Sequence, residues 1–112
     1  MTSAPVFLAY DFTALLSMLP TAVGGRKKPV YNHYRPSFSF NTKNQISGEV
    51  SFPELEELKP GGTTKAVVKL LPSKHIRQSL KSGDAFTILE GERIVGTGVI
   101  QQIEKKREIT SI

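Results

Sequence analysis

The sequence predicts an all-β fold, a six-stranded antiparallel β-barrel. Three observations carry this. Apolar and polar residues alternate in several short runs, the period of a half-buried strand. Turn residues punctuate the runs at Pro20, Gly24-Gly25, Pro53, Pro60-Gly61-Gly62, Pro72 and Gly83-Asp84. Short antiparallel strands with one apolar face lose their open edges only when the sheet closes on itself.

The strands follow in order. The first is predicted over 6–18, where Phe12, Ala14, Leu16 and Met18 alternate with Thr13 and Ser17. The second, 34–42, carries Phe38 and Phe40 between Ser37, Ser39 and Asn41, with Tyr34 on the same parity. The third, 45–52, sets Ile46, Gly48, Val50 and Phe52 against Gln45, Ser47, Glu49 and Ser51. The fourth, 64–71, alternates Ala66, Val68 and Leu70 with Lys65 and Lys69. The last two, 85–90 and 93–103, flank Gly91-Glu92. Glycine first in a two-residue hairpin loop is the type II′ preference. Gly96 and Gly98 share one face of the last strand, where a barrel bends or a neighbour approaches closely. Only 72–83 resists the pattern. Ile76 and Leu80 lie four apart, with Ser73 as a cap and Gly83 as a stop, so a turn or two of helix and an irregular loop both fit.

The 112 residues read as one barrel domain spanning 1–112. The absence of cysteine excludes disulfides and thiolate metal sites, and fits a reducing, cytoplasmic setting. No apolar run reaches the roughly 20 residues of a membrane helix. Met1 to Asp11 lacks the cationic start of a signal peptide.

No catalytic motif is visible, so no enzyme is expected. "GGTTK" and "GERIVGTG" lack the glycine-to-lysine order that surrounds phosphates. His33 and His75 have no neighbours at metal-ligand spacing, and no cofactor is expected. The net charge of +5 biases the chain toward anionic partners. Arg26, Lys27, Lys28 and Arg35 form one acid-free cluster, interleaved with Tyr31, His33 and Tyr34. Lys74, His75, Arg77 and Lys81 form a second, and Lys105 to Arg107 a third. The first cluster reads either as a solvated loop face or as an anion-binding surface.

"GGR…YRPSFSF", "PGGTTKAVVKLL" and "ILEGERIVGTGVI", in this order and spacing, resemble the third, C-terminal domain of elongation factor Tu. The resemblance covers about 12–104, leaving short extensions at both ends. It implies the same six-stranded barrel, with Gly24 to His33 mostly a loop between the first two strands. It also implies a domain that binds no nucleotide, supports a GTPase domain, helps hold the T-stem of aminoacyl-tRNA and meets the exchange factor. The chain carries no counterpart of the other two domains, so GTP hydrolysis is not expected of it.

The tRNA-contacting positions transfer one at a time. Glu90 and Gly91 match the family. Lys27, beside Arg26 and Lys28, stands where the family has a histidine. Ser37 replaces a glutamine, and Ser47 replaces a threonine if one residue is inserted before it. A family lysine is lost to Leu71, and about four extra residues lie around Lys74 to Leu80. The resemblance therefore implies a non-catalytic binding module. Its expected partner is a translation-associated protein, such as a translational GTPase or a ligand of one. The alternative is tRNA held on the former T-stem face by Arg26, Lys27, Lys28, Ser37, Ser47, Glu90 and Gly91.

Overall fold

The structure, a computed structural model, describes residues 10–40, 44–71 and 79–104. In chain order the strands are β1 (Phe12–Met18), β2 (Val30–Tyr31), β3 (Ser37–Ser39), β4 (Ile46–Ser51), β5 (Glu57–Leu58), β6 (Thr63–Leu71), β7 (Ala85–Glu90) and β8 (Arg93–Ile103). Six of them close a barrel in the order β1-β6-β4-β3-β7-β8, and β8 returns to pair with β1. Every barrel pairing is antiparallel.

The alternation read from the sequence is the alternation that fills the interior. Phe12, Ala14, Leu16 and Met18 point in from β1, and Ala66, Val68 and Leu70 from β6. Phe12, Phe38, Phe40 and Phe86 meet at the centre, with ring centroids 5.4 to 6.3 Å apart. Offset and edge contacts of this kind add to the burial of the rings. Gly98 is where the wall and this cluster touch. A Cβ there would lie 2.7 Å from Cε1 of Phe86 and still closer to Cζ, so Phe86 lies directly against the glycine. Gly96 is equally confined, with Ser17 O 2.8 Å from the place a Cβ would take.

Three expectations are revised. The first strand starts at Phe12, and Tyr10 and Asp11 precede it; the expected residues 6–9 lie outside the described residues. Of the expected second strand, 34–42, the described part pairs regularly only at Ser37–Ser39, because Pro36 has no N–H to donate and Tyr34 makes only an isolated bridge to Val50; positions 41 and 42 lie outside the described residues. A two-stranded sheet, β2 with β5, stands beside the barrel within what reads as loop. The ambiguous 72–83 stretch lies outside the described residues up to position 78; Leu80 packs against the core. Lys74, His75, Arg77 and Lys105 to Arg107 also lie outside them. Among the described residues no helix is long and apolar enough to cross a membrane.

Candidate functional site: a loop clamped by a hairpin

The loop that follows β1 is folded tightly on itself. Pro20 leads into a 3-10 turn, Thr21–Val23, which ends at Gly24 with φ of 100°. Gly25 N–H returns to Pro20 O at 2.9 Å. Gly25 is buried against Leu19, whose carbonyl occupies the space a Cβ would need. The glycine pair therefore has two separate reasons: a left-handed backbone at Gly24 and a close backbone approach at Gly25.

The β7–β8 hairpin grips this loop from both of its legs. Glu90 and Arg93 face each other across the turn, and Gly91 takes φ of 64° while Glu92 stays out of the left-handed region. That is the type II′ pattern. From the β8 leg, Arg93 donates through Nη2 to Gly24 O at 3.0 Å and Gly25 O at 2.8 Å, and through Nε to Gly24 O at 3.2 Å. From the β7 leg, Glu90 Oε2 accepts from Nη1 of Arg26. Arg26 Nε also donates to Lys28 O at 3.1 Å, and Thr21 Oγ1 donates to Arg26 O at 2.6 Å.

Tyr34 completes the arrangement. Its hydroxyl donates to the same Glu90 Oε2 at 2.5 Å, and the Arg26 guanidinium lies 5.7 Å from the centroid of its ring. Burial, reinforced by the bond to the Glu90 carboxylate, raises the Tyr34 phenol well above its ordinary value. The side chain is thus engaged in a structural contact.

The seven candidate residues fall into three sets. Arg26, Glu90 and Gly91 meet at the clamp. Ser37 and Ser47 are direct partners across β3 and β4, and Ser37 also pairs with Leu89, the neighbour of Glu90. Lys27 and Lys28 are exposed on the loop, with no ion-pair partner among the described residues. Arg26 differs from them. It is only 26% exposed and its charge faces Glu90 at once.

Two residues without a place in the sequence reading stand out here. Val23, 66% exposed, and Ile94, 45% exposed, flank the bond between Arg93 and the Gly24 carbonyl. Each reads in sequence as an ordinary loop or strand residue. Only the clamp brings their segments together.

The motifs that clamp each other are those that carried the resemblance: Gly-Gly-Arg on the loop and Glu-Gly-x-Arg on the hairpin. The family model for the elongation factor Tu C-terminal domain matches residues 5–104. The chain belongs to the elongation factor Tu C-terminal domain family. That domain is a β-barrel, as here, and the family ties the chain to translation. Within the family frame, Glu90 and Gly91 have a structural reason to be present. One anchors Arg26 and the other makes the turn that holds Arg93 opposite the loop.

Proposed function

We propose that this chain is a non-catalytic docking module that engages a protein of the translation machinery in the cytoplasm, through the face made by Thr21–Lys28 and Glu90–Ile94. The observation that carries the reading is the double clamp on the loop. Arg93 and Glu90 hold it in one shape before any partner arrives, so little ordering entropy remains to oppose binding. Val23 and Ile94 supply exposed apolar side chains, and Lys27 and Lys28, on the same loop as Val23, add exposed positive charge. The partner that fits is an apolar contact edged with acid.

A photo-crosslinking residue at Val23, with capture from lysate, tests it. The expected product is a crosslink to a translation-associated protein that Ile94→Asp weakens. Recovery of tRNA in place of protein would overturn it.

One observation favours that second reading: Lys27 and Lys28 are exposed and unpaired among the described residues. If they meet phosphates, Lys27→Glu with Lys28→Glu flattens the salt dependence of tRNA binding by roughly one to two units in log–log slope. A folded double variant with an unchanged slope excludes it.

A further inference from the structure

We infer that Glu90 is an internal stand-in for an acidic side chain of the protein partner: it occupies Arg26 in the free chain, and the partner's carboxylate takes its place on docking. The inference rests on the docking face proposed above and adds how that face recognises its partner.

Three features point to exchange. First, the internal pair is single-pronged. Arg26 reaches Glu90 through Nη1 alone and spends Nε on Lys28 O, and its other neighbour is the Tyr34 side chain, not the second carboxylate oxygen. On the other side, Glu90 takes both of its bonds at Oε2. A guanidinium prefers a carboxylate that it can meet with two parallel bonds, so an incoming acid has donors left to use. Second, both side chains are partly exposed, 26% and 33%, so an incoming carboxylate can reach Arg26. Third, release does not strand Glu90. The Tyr34 hydroxyl still donates to it at 2.5 Å.

The exchange also fixes a sign. If Glu90 contacted the partner directly, its neutralisation would weaken binding. If Glu90 masks Arg26, its neutralisation strengthens binding. Glu90→Gln retains an oxygen that accepts from Tyr34 and Arg26, so the clamp keeps its shape while the competing charge is gone.

Fluorescence anisotropy with a labelled poly-L-glutamate peptide reads this out on the full chain. Glu90→Gln binds about three- to fivefold tighter than the parent, the scale set by releasing one surface ion pair. Glu92→Gln removes the same charge one position beyond the Gly91 turn, where no ion pair exists among the described residues, and changes affinity less than about twofold. Arg26→Gln in the Glu90→Gln background returns affinity to the parent's level. Equal gains from Glu92→Gln and Glu90→Gln overturn the inference, because general electrostatics then suffices. A gain that survives loss of Arg26 overturns it as well, and so does a gain toward tRNA alone. If Glu90→Gln fails to fold, the parent's Arg26 Nε–H resonance gives the answer: it shifts on titration with the peptide, and a response confined to Lys27 and Lys28 rejects the exchange. A Val23 crosslink to protein without the Glu90→Gln gain leaves the docking face standing and removes the exchange alone.

Discussion

Tyr34 and Glu90, far apart in sequence, are joined by a 2.5 Å hydrogen bond to the carboxylate oxygen that also holds Arg26. Tyr34→Phe removes that bond and keeps the ring. The expected loss is about 1–2 kcal/mol, in the range for a bond to a charged acceptor at a half-buried site. Denaturant melts give the number.

The same hydroxyl sets an alkaline limit. Its folded pKa lies above the unfolded value, so its contribution is complete below about pH 10. Above that pH the unfolded chain loses the proton while the native chain keeps it, and stability falls. Melts between about pH 9 and 11 therefore show a decline in the parent that is shallower in Tyr34→Phe. Parallel declines refute it.

At the acid end the relevant group is Glu49. Its carboxyl is held below the ordinary range chiefly by the hydrogen bond with His33, 2.6 Å from Nδ1, and further by the nearby Arg35 and Lys69 charges. A lowered folded pKa contributes stability above the unfolded value, and that stability is lost as pH falls through the folded pKa. His33 takes φ of 74°, so His33→Gly removes the ring and keeps the left-handed backbone. Acid titration of stability below about pH 5 should be less steep in this variant than in the parent.

Gly98→Val tests the barrel's interior register. The added side chain meets the Phe86 ring at once. Overpacking of this kind costs about 1–3 kcal/mol. For a domain this size each kcal/mol lowers Tm by about 4–8 °C. An unchanged melt contradicts the register of β7 against β8.

Asp11 is a buried carboxylate at the entrance to β1, 4% exposed. Its Oδ2 accepts from Leu70 N at 2.6 Å, and its backbone bonds both Val68 O and Glu104 N. Asp11→Ala leaves the Leu70 N–H without that acceptor, a loss of about 1–3 kcal/mol by chemical denaturation. Asp11→Asn, which retains an acceptor, loses less.

The barrel was legible because each wall strand repeats an inward residue often enough to show its period. Strands β6, β7 and β8 run almost where alternation put them, and Gly98 declared its close contact by lacking a side chain. The β2–β5 pair was not legible, because two residues carry no period. The clamp was hidden for another reason. Arg26 reads as one of three like cations, and nothing local says that Glu90 neutralises it alone. Likewise Tyr34 shows its apolar parity but not the destination of its hydroxyl. Pairings across the fold depend on register, which a single sequence encodes only collectively.

The pairing of β1 with β8 also orders events during synthesis. The first wall strand finds one of its two neighbours only when Arg93–Ile103 is available. Until then Phe12, Phe86 and the apolar faces around them have a gap in their enclosure, and the loop after β1 lacks both hairpin legs that hold it. A nascent chain on the ribosome therefore reaches its closed form late, after almost the whole domain has left the exit tunnel. Long-range closure of this kind is slow and leaves sheet edges open in the interval. Ribosome-bound chains arrested before the last strand emerges should be protease-sensitive, and should become resistant only after Ile103 is clear.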